Sequence, residues 1–155
     1  MAPRQHMRKM KVGKVTFTEA YKAVNEYRQK FPQKAVTFYA QNYPAMGWAV
    51  FMAGGSCPVI PCTDKAFLKD AAAMEVEETD TDNYKKMVKS DIGSIIYSKS
   101  GTEIPVQLSP GKYILKYIHP GSGKMVIMDK SLKINGVYKL KVPDKKEGIY
   151  WFHKL

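Results

Sequence analysis

The segment Ala45–Ala53 (AMGWAVFMA) carries no charged side chain and no polar one beyond the Trp48 indole. A run this apolar at helical length has no face that can be left in water. Pro44 suits a first helical turn, and Gly54-Gly55 supplies a C-terminal stop, so the segment reads as a helix covered on every side. Whatever the rest of the chain does, it must build that cover. Gly47–Gly55 is the longest apolar stretch, far short of the roughly 20 residues needed to cross a membrane, so no membrane partner is expected.

The elements before and after this helix differ in texture. Thr18 precedes a run in which Ala20, Tyr21, Val24 and Tyr27 recur at three- and four-residue steps. Thr18 reads as its N-cap, and Pro32 stops it just after Phe31. Ala35–Ala40 (AVTFYA) reads as a short strand buried on both faces. Asp64–Met74 reads as a further helix capped by Thr63 or Asp64. One strand among helices cannot form a parallel sheet. The expectation is therefore an incomplete α/β segment in which Trp48, Val50, Phe51 and Met52 cannot all be covered. Such a segment would expose an apolar patch or self-associate, and the part from Asn83 onward would stand better alone.

After Asn83 the apolar period falls to two, as in half-buried strands. Ile104, Val106 and Leu108 alternate on one face; Tyr138, Leu140 and Val142 alternate inward against Lys139 and Lys141 outward. Six strands are expected: Asp91–Ser98, Glu103–Leu108, Lys112–His119, Lys124–Asp129, Val137–Val142 and Gly148–Lys154. Turn signals separate them at Ser109-Pro110-Gly111, Pro120-Gly121 and Asn135-Gly136. The chain is thus read as α+β: a short α/β segment over residues 1–80, then an antiparallel β-sandwich over 81–155.

Charge follows the same division. The net charge of +11 resolves into +7 over residues 1–34, −4 over 35–80 and +8 over 81–155. A basic chain invites nucleic acid. However, the arginines stand at 4, 8 and 28 alone, and bidentate phosphate and base-edge contacts favour arginine. Solvated strand faces are the stronger reading, and nucleic acid is not the expected partner.

The chemistry-bearing motifs are weak. Gly121-Ser122-Gly123-Lys124 lacks the glycine and the hydroxyl of a phosphate loop and reads as a turn. Cys57 and Cys62 lack a second ligand pair for zinc; a disulfide between them is geometrically possible, but the apolar Pro58–Pro61 between them favours free buried thiols. The acids Glu75, Glu77, Glu78, Asp80 and Asp82 lack the glycine and distal glutamate of a helix-loop calcium site and read as a solvated linker. His6, His119 and His153 stand in unrelated contexts, with no Gly-x-Ser-x-Gly or His-Glu-x-x-His. His119 reads as an exposed strand-end side chain. No catalytic residue, metal or cofactor is assigned. Tyr113, Tyr117 and Trp151 are the candidates for stacking on sugar rings, weighed against core packing, which alternation favours.

The run Trp48-Ala49-Val50-Phe51-Met52-Ala53-Gly54-Gly55-Ser56 resembles the segment that closes the (β/α)8 barrel in certain bacterial glycoside hydrolases. Gly111-Lys112-Tyr113, Tyr117–Gly123 and Ile149–Phe152 resemble the small C-terminal sandwich of such enzymes, sometimes labelled a collagen-binding domain. Tyr117 stands where tryptophan is commoner, and the strand ends that carry acid and nucleophile in barrel enzymes have no counterpart here. The resemblance implies a non-catalytic C-terminal part of a carbohydrate-active enzyme, steadying its barrel and contacting polysaccharide. Its partners would be the rest of that enzyme or a second copy. The alternative is an autonomous basic module that binds an anionic polymer. Enzymes of this family are typically exported, whereas Met1–Lys14 is basic with no apolar run after it, so no export signal is read.

Overall fold

The computed structural model describes residues 15–38, 45–99, 101, 103–144 and 147–155. Among these described residues three helices, α1 (Phe17–Lys30), α2 (Ala45–Met52) and α3 (Lys65–Ala73), precede six strands. These are β1 (Glu75–Glu77), β2 (Tyr84–Lys89), β3 (Gly93–Ser98), β4 (Glu103–Ile118), β5 (Met125–Lys141) and β6 (Gly148–Lys154). The fold is α+β, a short helical part followed by an antiparallel, sandwich-like sheet.

α1 begins two residues earlier than the sequence suggested. Thr16, not Thr18, is the N-cap: its hydroxyl accepts from Glu19 N at 3.3 Å, and Glu19 Oε2 accepts from Thr16 N at 2.8 Å. That reciprocal pair needs Glu at the third helical position, which Thr16 has and Thr18 lacks. The hydrogen bonds from Thr16 hold the Glu19 carboxyl below its ordinary pKa. Phe17, Ala20, Tyr21 and Val24 are buried, but the stripe ends there and Tyr27 is exposed. α3 is capped by Asp64, which accepts from Phe67 N at 2.8 Å.

Residues 35–38 are not a strand. Ala35 and Thr37 are exposed, while Val36 and Phe38 lean on the helical core, and Val36 O accepts from Ser56 N at 2.7 Å. Strand-forming side chains make no strand without a neighbour to pair with. Tyr39 and Ala40 lie outside the described residues, as do Met1–Lys14 and with them His6.

The sheet runs β1-β2-β3-β6-β4-β5, antiparallel throughout. The strands buried on both faces are β3 and β6 at its centre. Ile95, Tyr97, Ile149 and Trp151 join one core with the helices, while Ile96, Tyr150 and Phe152 join a second. The second core is closed by the β4–β5 hairpin, which contributes Ile104, Val106, Leu108, Ile134 and Leu140, with Val142 just beyond β5. Segments expected as four strands are therefore two long ones. Ser109-Pro110-Gly111 and Asn135-Gly136 do not end strands: Leu108 pairs with Gly136, and the register shifts between Leu108 and Gly111. Gly136 has φ of +100°, a conformation that L side chains avoid, so the ribbon bends there. Tyr138 is half-buried and Leu140 and Val142 are buried, with Lys139 and Lys141 exposed, as the alternation requires.

The first core answers the question raised by α2. Trp48, Val50, Phe51 and Met52 are all buried, at 0, 3, 7 and 0% exposure. The expectation that one chain could not cover them is wrong, because residues of α1, α3 and the sheet share their cluster. Trp48 stands edge-on to Phe51 and Phe67, Phe67 edge-on to Trp151, and Trp48 Nε1 donates to Pro120 O at 2.8 Å. α2 ends at Met52, two residues before Gly54, whose φ is +66°, and Arg28 Nη1 from α1 donates to the freed Ala53 carbonyl at 3.2 Å.

Candidate functional site

The acidic segment is part strand and part exposed loop: Glu78, Asp80 and Asp82 lie in the solvated connection to β2, as the linker reading expected, whereas Glu75 and Glu77 do not. Glu75–Glu77 forms edge strand β1, and Glu77 is ion-paired with Lys86 of β2. Lys85 and Lys86, neighbours in sequence, are both buried. Lys85 Nζ donates to Thr81 O at 2.8 Å, lies 3.5 Å from Asp82 and sits over the Tyr21 ring. Burial lowers its pKa against the opposing pull of Asp82. Lys22 also reaches Asp82, at 3.4 Å.

Asp70, on α3, is the one acid turned into the core among the described residues. Its Oδ2 accepts from Trp151 Nε1 at 3.0 Å and lies 2.7 Å from His153 Nδ1. Trp151 and His153 are two apart on β6 and so share a face. Which of the two groups donates in this contact depends on the imidazole tautomer. A cavity of about 400 Å3 opens beside the pair, bounded by Lys69, Asp91, Ile92 and Lys154. A carboxylate-held imidazole can move a proton, but no serine or cysteine lines this cavity to receive its help. Among the described residues no cluster of three or more His, Cys, Asp or Glu side chains could hold a metal ion.

The sugar-stacking candidates lie elsewhere. Tyr113 and Trp151 are fully buried and Tyr117 is 8% exposed. Tyr113 Oη donates to Ser109 O at 2.7 Å and Tyr117 Oη to Glu147 O at 3.1 Å, while Lys116 Nζ lies 4.2 Å from the Trp151 ring centre. Tyr113 and Tyr117 belong to the second core and Trp151 to the first, so the three are not brought together. None offers an open ring face; alternation made all three core residues, and the stacking assignment does not stand.

The remaining candidates are resolved in the same way. His119 is exposed at the end of β4, where Nδ1 accepts from Gly121 N and Ser122 N, both at 3.2 Å. Gly121–Lys124 is the turn it caps, closed by Gly123 N to His119 O at 2.8 Å. Both cysteines are free, but only Cys62 is buried, and burial raises its thiol pKa; Cys57 is exposed on a left-handed backbone, φ 53°. A second cavity, of about 450 Å3, lies between Pro61–Asp64 and Ser122–Met125.

What the sequence reading did not single out is the lysine surface of β4 and β5. Lys112 and Lys133 are exposed and directly opposite one another in register. Two lysines facing each other across strands can be found only once the strands are paired.

A family model described as "Domain of unknown function (DUF6298)" matches residues 1–74. No curated protein matches the chain. A solved structure titled "Glycoside hydrolase" is weakly similar, with a TM-score of 0.40 and 14% identity over 54% of this chain and 20% of that one. The chain spans about a fifth of the length of that protein.

Proposed function

We propose that this chain is a non-catalytic accessory module of a carbohydrate-active protein, steadying a larger enzyme and contacting polysaccharide. The observation that carries the reading is the occupation of six of its fourteen acids. Glu19 and Asp64 cap helices, Asp70 holds Trp151 and His153, and Glu77, Asp82 and Glu103 are ion-paired with lysines. Glycoside hydrolysis by the usual route needs two carboxyl groups facing each other across a cleft, about 5–10 Å apart. Acids committed to caps and lysines are poorly placed for that work. The carbohydrate setting rests on the resemblance of Trp48–Ser56 and of the sandwich turns to barrel glycosidases.

Two measurements on the whole chain test the reading. Hydrolysis of aryl glycosides and polysaccharides should stay at background, and affinity electrophoresis should show retardation in a gel containing polysaccharide. Turnover that disappears on replacing a single acid overturns the non-catalytic half. Unretarded migration through every polysaccharide overturns the binding half.

A further inference from the structure

Both polar contacts of the Asp70 side chain fall on one carboxylate oxygen. Trp151 Nε1 lies 3.0 Å and His153 Nδ1 2.7 Å from Oδ2, whereas Oδ1 has no hydrogen-bond partner among the described residues. The residue is nevertheless only 8% exposed. A covered carboxylate oxygen with nothing to accept from is costly, and proteins hold few of them. Asp70 lines the cavity of about 400 Å3 at the seam between α3, the turn joining β2 to β3 and the end of β6. Lys69, Asp70 and Ala73 bound it from one side of α3, as residues three and four apart do.

The other walls differ in character. Lys69 brings an ammonium and Asp91 a second carboxylate, while Ala73 and Ile92 supply apolar surface. His153 is partly exposed, and its Nε2 has no partner among the described residues. Lys154 bounds the cavity without adding its charge. It pairs with Tyr113 of the second core, so its side chain leaves on the opposite face of the sheet and runs over Gly111. The space falls within the roughly 300–1,000 Å3 of small-molecule sites. Convergent donors and acceptors beside an apolar wall suit a sugar ring, whose hydroxyls do both and whose C–H faces are apolar. An acidic sugar would set its carboxylate against those of Asp70 and Asp91, with Lys69 to offset them. We propose that this cavity binds one unit of a neutral polysaccharide, a hydroxyl donating to Asp70 Oδ1 and others meeting His153 and Lys69. The inference rests on the accessory-module reading and adds where the sugar sits, its lack of charge and the residues that hold it. Such a site needs no open aromatic ring, which buried Tyr113, Tyr117 and Trp151 do not offer.

The whole chain is titrated with neutral trisaccharides of glucose, xylose, mannose and galactose, and with trigalacturonate, while NMR follows the imidazole resonances. At least one neutral trisaccharide should shift the His153 signals saturably and leave in place those of His119, which caps the 121–124 turn. Asp70→Asn should weaken that binding about tenfold, since it sets a donor in place of Oδ1 while its oxygen still accepts from Trp151. Ala73→Phe alters an exposed residue at the cavity wall and removes no hydrogen bond. It fills the space, so the His153 shift should vanish while the urea midpoint stays close to native, which excludes misfolding as the cause. Retardation by a neutral polysaccharide that keeps its native strength in Ala73→Phe overturns the cavity site and leaves the accessory reading standing. Native-like affinity in Asp70→Asn does the same, as does a His153 shift by trigalacturonate at equal affinity. Absence of any His153 shift and of retardation by every polysaccharide overturns both.

Discussion

Asp70 of α3 accepts the Trp151 indole N–H of β6 at 3.0 Å, across 81 residues of chain. The bond joins the last helix to the last strand inside the first core, and His153 Nδ1 at 2.7 Å completes it. A buried donor stripped of its acceptor costs far more than an exposed one. Asp70→Ala should therefore lower stability by about 2–4 kcal/mol, with Asp70→Asn, which keeps an acceptor oxygen, losing less. Urea unfolding followed by tryptophan fluorescence measures both. A loss below about 1 kcal/mol for the alanine variant would show that the tie is not holding α3 down.

Tyr150 offers the opposite case. Its hydroxyl is buried in the second core with no hydrogen-bond partner among the described residues, and burial pushes its pKa up to about 12. Removing an unsatisfied polar atom while keeping the ring is nearly neutral or favourable. Tyr150→Phe should hold stability or raise it by up to about 1–2 kcal/mol. A decrease of more than about 1 kcal/mol in denaturant unfolding would mean that the hydroxyl has a partner.

These two residues mark where the sequence was legible and where it was not. Alternation placed Tyr138, Leu140 and Val142 inward and the intervening lysines outward, because period two reports a half-buried face directly. The absence of a polar face on α2 required burial, and α2 is buried. Strand β2 escaped notice because Lys85 and Lys86 are both buried, each satisfied by partners that pairing brings near: Thr81 O and Asp82 for one, Glu77 for the other. Ser109-Pro110-Gly111 and Asn135-Gly136 carry strong turn chemistry, yet the chain uses them to bend a continuous ribbon. Local residues specify a bend, and only the sheet decides whether pairing resumes beyond it. The same holds for Lys112 with Lys133 and for Asp70 with His153. Both juxtapositions depend on tertiary pairing that no local period encodes.

Alkaline pH should loosen the fold through its buried tyrosines. Burial raises the pKa of Tyr21 and Tyr150 to about 12, and raises that of Tyr97 further, with the nearby Glu147 carboxylate adding to it. In the unfolded chain these phenols lose their protons near pH 10. Above that value the native state binds more protons than the unfolded one, so stability is full below about pH 10 and falls as pH rises past it. Tyr97→Phe cannot lose a phenolic proton. The stability gap between native protein and Tyr97→Phe, read from urea midpoints at pH 8, 10 and 11, should move against the native chain as pH rises. A gap independent of pH rejects the assignment.

The last prediction reverses what the sequence suggested about the two halves. The polypeptide 83–155, expected from its period-two texture to stand better alone, would lose the helices that complete the first core. Ile95, Tyr97, Ile118, Ile149 and Trp151 all belong to that core. A large side chain left exposed forfeits roughly 1.5–3 kcal/mol of burial. Several such losses match the whole stability of a small domain, about 5–15 kcal/mol. The second core would remain, but one face of β3 and β6 would lie open to water. The polypeptide 83–155 should therefore bind hydrophobic dye strongly and scatter light, while the whole chain, with Trp48 through Met52 covered, binds dye weakly. A dye-silent, cooperatively melting 83–155 would show that the helices are dispensable to the sheet, and that the first core is a contact surface rather than part of the fold.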